Sequence, residues 1–177
     1  MTQQLSLRQK SPVRWLTITA LFMAINVAMS SFGVPVPGGH LYLNDIIICT
    51  AAILLDPVGA FAVGGIGAFL GDFFFYPTPM FVSLVVHGLQ AVVISLCAHR
   101  LLPGKKALGA LIGVLLGAVI QVVGYSLGRA FIYSTVEYAI LKLPYQILQA
   151  AVGVVGGMVL CFPAGLQRQW DRWVGRG

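Results

Sequence analysis

Six apolar runs, at about residues 15–32, 41–55, 57–75, 80–99, 106–128 and 144–165, take up most of this chain. Each approaches the roughly 20 residues with which an α-helix, rising about 1.5 Å per residue, crosses a hydrocarbon core. A helix satisfies its own backbone hydrogen bonds, which lipid cannot do for it. With 58% hydrophobic and 9% charged residues over 177 positions, and a mean hydropathy of +0.90, the charges are too few to cover a water-facing surface. The sequence predicts an all-α integral membrane protein with the lipid bilayer as its main solvent. Residues 1–177 read as a single bundle of six transmembrane helices, with no soluble domain, low-complexity tract or convincing internal repeat.

The second and third runs meet at Asp56–Pro57. Residues 46–71 would otherwise make one long helix, but proline lacks a donor and disfavours helix at the residue before it. A tight hairpin of two helices is the alternative, and charge decides between them. Six spans place Arg8/Lys10/Arg14, Arg100/Lys105/Lys106 and Arg168/Arg172/Arg176 on one side, whereas five would put the first cluster opposite the others. Both termini are therefore expected in the cytoplasm, with outside loops at 33–44, 76–79 and roughly 129–143. No small-residue cleavage site closes the first run convincingly, so its helix is expected to stay. Eleven Lys and Arg against five Asp and Glu is a balance that nucleic-acid binders also show. These residues flank apolar runs, however, where they act as topology signals, and no nucleic-acid partner is expected.

Polar side chains inside a membrane are costly and face a bundle interior or a cavity, so their depth is informative. Ser83, His87 and Gln90 share one face of the fourth span, and Gln121, Tyr125 and Arg129 share one face of the fifth. Tyr145, Gln146 and Gln149 open the sixth, which is expected to re-enter at Pro144; Asp72 and Tyr76 end the third, and Asn44 and Asp45 open the second. Polar groups thus collect in the outer halves of five helices, while the inner halves are mostly Ala, Val, Leu, Ile and Gly. That asymmetry describes a cup open to the exterior. A lone intramembrane His or Gln serves an interhelical hydrogen bond, at about 1 kcal/mol, as readily as a ligand. Agreement between segments marks the site more than any one member does. Asp72 has solvent or Arg129 as alternative partners, and Tyr42, Tyr76 and Tyr133 stand where interfacial aromatic belts form.

Small residues supply a second pattern. Ala20, Ala24 and Ala28 recur at four-residue spacing on the first helix, as Gly109, Gly113 and Gly117 do on the fifth, and such faces let helices approach closely. Internal packing suffices for the glycines; the alanines suit an external partner equally well. Cys49, Cys97 and Cys161 lie far apart in apolar runs without a CxxC, so they read as packing and not as a metal or disulfide framework. No GxxxxGK[ST] phosphate loop is present. Ser83 and His87 stand one turn apart without an orienting third group or oxyanion donor, so the chain is not expected to be an enzyme.

Three stretches carry a resemblance: "ALFMAINVA" in the first helix, "GGHLYLNDIIICTAAILLDPVGAFAVGGIGAFLGDFFF" after it, and "FVSLVVHGLQAVVISL" in the fourth span. Together with the six-helix layout and basic ends, they resemble the S components of bacterial energy-coupling factor (ECF) vitamin transporters. The "LND…LLDP.GA..GG.GA.LGD" run looks like the riboflavin-transporter-like branch, which includes hydroxymethylpyrimidine-type members. The resemblance implies a multi-pass protein of the bacterial cell membrane that binds one water-soluble vitamin or precursor in an outward cup. It implies a transmembrane T component and two ATP-binding subunits as partners, whose ATP hydrolysis topples the S component and releases substrate inside. Ala20, Ala24 and Ala28 match the face that meets the T component, and residues 33–44 match a capping loop. In that loop Gly38 and Gly39 would be a flexible joint, and His40, Tyr42, Asn44 and Asp45 a polar lining. Metal-specific relatives use an N-terminal Met-His set, but Thr2 follows Met1, so neither metal nor other cofactor is expected. The tryptophans typical of thiamine or biotin cups are missing, since Trp15, Trp170 and Trp173 sit at the cytoplasmic edge.

Hydroxymethylpyrimidine is neutral near pH 7 and calls for donors, acceptors and an aromatic face. His87, Gln90, Gln121, Gln149, Asn44 and Tyr125 are of that kind, with Gln146 beside them. Pantothenate would instead need a cation such as Arg129, for which Asp72 and Glu137 are alternative partners; riboflavin is a further alternative of the same class. The alternative of another class is a membrane structural or assembly protein, which would gain nothing from polar outer halves.

Overall fold

The computed structural model describes residues 7–37 and 39–175. A short helix α1 (Leu7–Lys10) leads into α2 (Pro12–Ser30), where Pro12 sits in the first turn and its missing N–H costs nothing. Next comes an antiparallel hairpin of β1 (Gly33–Val36) and β2 (Gly39–Tyr42), with Gly33 opposite Tyr42 and Val36 opposite Gly39. Gly39 takes a φ of +143°, which favours a residue without a Cβ. Helices α3 (Asn44–Leu54), α4 (Pro57–Phe75), α5 (Met80–Leu101), α6 (Lys106–Tyr133), α7 (Val136–Cys161) and α8 (Leu166–Gly175) complete the chain. Helices α2, α4, α5, α6 and α7 are long and apolar enough to cross a membrane. With 11 residues, α3 extends only about 16 Å.

Three boundaries differ from the sequence expectation. The run at 41–55 does not begin as helix, because residues 39–42 pair with 33–36 as strand and Asn44 opens the helix. The segment read as a loop is thus largely a hairpin. Gly38, expected as half of its joint, lies outside the described residues, as do Met1, Thr2 and Arg176. The third difference is the outside loop at 129–143, which shrinks to Ser134 and Thr135. Helix α6 continues through a π-helical turn at Arg129–Tyr133, and Thr135 caps α7 by accepting a hydrogen bond from the Tyr138 amide at 3.4 Å. Pro144 therefore lies inside α7 and does not start it. Proline removes one helical bond, but in membrane helices neighbouring groups make up for the freed backbone, so it does not have to end the helix.

At Asp56–Pro57 the helix does break, as proline disfavours helix at the residue before it, and several polar groups of the turn find partners. Asp56 accepts from the Gly59 amide at 3.2 Å and from Trp15 Nε1 at 2.7 Å, and Ser95 Oγ donates to the Leu55 carbonyl at 2.6 Å. The chain then doubles back: a Cβ placed on Gly64 would lie 3.2 Å from Ile48 Cγ2, and these residues sit at equal distance on either side of Asp56. Helices α3 and α4 form the tight hairpin. Within α4 a π-helical turn at Ala62–Ile66 loosens the carbonyl ladder, and Asn26 Nδ2 donates to the Val63 oxygen at 2.7 Å.

Glycines set the interhelical distances. Cβ atoms on Gly113 and Gly117 would come within 2.9 and 2.8 Å of Cys97 and Ile94 side chains, so α5 and α6 touch backbone to side chain. Gly153 and Gly157 do the same on α7, against Asp45 and Cys49 of α3. Ile48, Cys49, Ala52, Ile53, Ala91, Ile94, Ala110, Val114 and Cys161 form the core between them. Trp170 of α8 packs onto this core, and Lys106 pairs with Asp171 at 2.9 Å on the surface. On α2 the inward face carries Thr19, Asn26 and Ser30, all buried, whereas Ala20, Ala24 and Ala28 are exposed.

Candidate substrate-binding site

Because successive helices alternate in direction, the end of α2, the hairpin, the start of α3, the end of α4, the start of α5, the end of α6 and the start of α7 meet at one pole. They enclose a cavity of about 560 Å³, its open mouth included. Helix α4 contributes Asp72 to its wall, Tyr76 follows the end of that helix, and α5 contributes His87; α6 contributes Tyr125, Arg129 and Tyr133; α7 contributes Lys142, Gln146 and Gln149. The hairpin supplies His40 and Tyr42, and Ser30 and Asn44 complete the floor near α2 and α3.

Of the predicted residues, His40, Tyr42, Asn44, Asp72, His87, Tyr125, Arg129, Gln146 and Gln149 therefore share one wall. Asp45, Gln90 and Gln121 do not reach it. They lie beneath the wall at 1%, 1% and 0% exposure, because Gly153 lets α7 close over Asp45. Asp45, expected from the sequence in the lining of the cap, is instead the hub of a buried network. Its Oδ2 accepts from Gln149 Nε2 at 2.6 Å and from Gln121 Nε2 at 2.7 Å. Gln90 links Gln121 to His87, with Gln90 Oε1 2.7 Å from His87 Nδ1, and His87 Nδ1 lies 3.6 Å from Asp45 Oδ1.

Two bonds hold the hairpin over the cavity. The Tyr42 amide donates to Gln149 Oε1 at 3.1 Å, and Lys142 Nζ donates to the His40 carbonyl. Burial, with the Asp72 charge adding to it, pushes the Tyr42 phenol up to about 12. Ser83 donates to Asp72 and shares a short contact with the Tyr125 hydroxyl, fixing both side chains at the wall. The Arg129 guanidinium stacks 5.4 Å from the Tyr133 ring centre. Asn44 Nδ2 donates to Ser30 Oγ at 3.4 Å, while its buried Oδ1 has no partner among the described residues. An acceptor of that kind is rare unless something else fills it.

Lys142 is the clearest residue that sequence reasoning missed. It is only 3% exposed and shares a face of α7 with Gln146 and Gln149 at i+4 and i+7. That spacing was a usable signal, hidden by the expectation of a loop up to residue 143. Ser30 carried no signal beyond a helix end.

Gln149 joins network and hairpin, so its replacement has a local readout. Gln149→Leu is expected to leave the Tyr42 amide and Asp45 each short of a partner, at about 1–3 kcal/mol. Hydrogen exchange at the Tyr42 amide should then rise well above the wild-type rate; an unchanged rate would show that this bond does not hold the hairpin.

The model of the ECF-type riboflavin transporter S component matches residues 10–167. The chain is also 30% identical over 161 residues to the thiamine precursor transporter HmpT of Lactococcus lactis subsp. cremoris (strain MG1363), a span of 88% of this chain and 90% of that protein. S components bind substrate and do not catalyse, and the apolar helices agree with a multi-pass protein of the bacterial cell membrane. Its one-ended polar cavity, its apolar helices and these matches together establish that the chain belongs to the ECF-type riboflavin transporter S-component family, as a substrate-binding subunit.

Proposed function

We propose that this chain captures hydroxymethylpyrimidine, a precursor of thiamine, from outside the cell and carries it inward with a transmembrane T component and two ATP-binding subunits. The observation that carries this reading is the cavity wall, where the rings of Tyr42, Tyr76, Tyr125 and Tyr133 stand among Asn44, Asp72, Gln146 and Gln149. A flat ring bearing an amine and a hydroxymethyl group needs aromatic faces with donors and acceptors at its edge. The orphaned Asn44 Oδ1 is one such acceptor. The name of the relative from Lactococcus lactis points the same way.

In the same reading the short α3 crosses with α4 as the second limb of a hairpin, making six spans with both termini in the cytoplasm. The basic clusters at Arg8, Lys10 and Arg14, at Arg100, Lys105 and Lys106, and at Arg168 and Arg172 support this. The β1–β2 hairpin is the lid, and release of the Lys142 and Gln149 bonds opens it. The exposed face of Ala20, Ala24 and Ala28 receives the T component.

Purified protein is expected to bind hydroxymethylpyrimidine in calorimetry, with His87→Ala weakening the affinity by about 1–3 kcal/mol. A second reading has its own support, because Arg129 and Lys142 both line the wall and would suit the carboxylate of pantothenate. Tight pantothenate binding that disappears in Arg129→Ala and ignores His87→Ala would overturn the pyrimidine. Uptake of labelled vitamins with and without T and ATPase partners tests the class, and no uptake of any vitamin with all partners present would sink it.

A further inference from the structure

Asp45 is 1% exposed, and a carboxylate only accepts hydrogen bonds. That property orients every amide joined to it. Gln121 must turn Nε2 to Asp45 Oδ2, at 2.7 Å, so its Oε1 faces away and accepts from Gln90 Nε2 at 3.5 Å. Gln90 in turn presents Oε1 to His87 Nδ1 at 2.7 Å, and a carbonyl oxygen that close to a ring nitrogen requires a proton between them. Asp45 Oδ1 lies 3.6 Å from the same Nδ1 and has no hydrogen-bond partner among the described residues. The second arm has the same sense: Gln149 gives Nε2 to Asp45 Oδ2 at 2.6 Å and therefore offers Oε1 to the Tyr42 amide at 3.1 Å.

We infer that Asp45 is a positioning residue: through Gln121 and Gln90 it holds His87 in the Nδ1–H form, so that Nε2 offers a lone pair to an N–H or O–H donor of the ligand. The inference rests on the cavity being the substrate site. Arg129 and Lys142 are the cations on the cavity wall. Asp72 is the acid on that wall, His40 and the tyrosines are the other titratable groups there, and Asp45 is approached from the Nδ1 side. His87 thus selects donors, and it does so by an instruction that originates in a residue the ligand never touches.

The test uses the full chain in lipid nanodiscs, labelled with ¹⁵N-histidine, without ligand. Long-range ¹H–¹⁵N spectra separate protonated from bare ring nitrogens, and the His87 signals are those missing from His87→Gln. The expected result near pH 7.5 is a protonated Nδ1 and a bare Nε2. In Asp45→Asn, whose amide can donate as well as accept, both tautomers should appear; Gln121→Met cuts the relay in its middle and replaces that variant if it does not fold. A proton on Nε2 in the wild type, or a tautomer unchanged when Asp45 is replaced, would overturn the inference. The ligand arm compares hydroxymethylpyrimidine with an analogue in which methoxy replaces the amine. Wild type should prefer the amine by about tenfold, the scale of one hydrogen bond, and the ratio should fall toward one in Asp45→Asn. Equal affinity of the wild type for the two would refute the lone-pair role. Failure to bind either, with the tautomer as stated, counts against the proposed substrate and leaves the relay standing.

Discussion

Tryptophan at Ala20 or Ala24 is expected to abolish vitamin uptake while leaving the affinity of the isolated protein for its ligand unchanged. Both alanines, with Ala28, are exposed on α2 at four-residue spacing, and the buried Thr19, Asn26 and Ser30 hold the opposite side to the bundle. A small-residue stripe permits a neighbouring helix to approach closely, because dispersion contacts between membrane helices require short distances. An indole on that stripe keeps the partner several ångströms away without disturbing the cavity. Transport in vesicles containing the T and ATPase subunits, set beside calorimetry on the isolated subunit, separates the two effects. Unimpaired complex formation and transport in both variants would show that this face meets only lipid.

Gly64→Leu is expected to destabilise the protein by at least about 3 kcal/mol, the upper part of the range for overpacked cores. Its new Cβ would lie 2.7 Å from Ala91 Cβ and 2.7 Å from the His87 carbonyl oxygen, a backbone atom that cannot turn aside. Helix α5 would have to move away from α4, carrying His87 off the cavity wall and pulling Ser83 from the Asp72 carboxylate to which it donates. Thermal unfolding of the purified protein in detergent reads this as a large fall in Tm together with loss of ligand binding. Val85→Ala, on a side chain that is 64% exposed, is the control, and should stay within about 0.5 kcal/mol. A Gly64→Leu protein with wild-type Tm would mean that the two helices are not in contact there.

Much of the molecule was legible in local pattern. The length of the apolar runs marked a helical membrane protein, and the break at Asp56–Pro57 followed from the chemistry of proline together with the placement of the basic clusters. The shared face of Ser83, His87 and Gln90 followed from helical periodicity. The gathering of polar residues at one pole followed from counting which end of each run carried them. The hairpin at 33–42 was less accessible: its glycines and prolines announce a turn, but strand pairing depends on a partner segment that no single residue declares.

The sequence by itself determined where the chain lives, that it is helical and which end of the bundle is polar, since hydrophobicity and periodicity belong to each segment alone. Only the tertiary structure decided which polar residue does what. Asp45 and Asn44 are adjacent in sequence, yet one is buried at the centre of a relay and the other sits on the cavity wall. Gln90 and Gln121 share helix faces with His87 and Tyr125, yet they lie a layer below and touch each other. Lys142 enters the wall because α7 begins at Val136, before Pro144, under the cap of Thr135. These outcomes turn on how closely helices approach and how deep a side chain sits, and those distances are set where Gly64, Gly117 and Gly153 meet residues of another helix. A periodic pattern in one segment carries the direction of a side chain, but its depth is fixed by the neighbour it packs against.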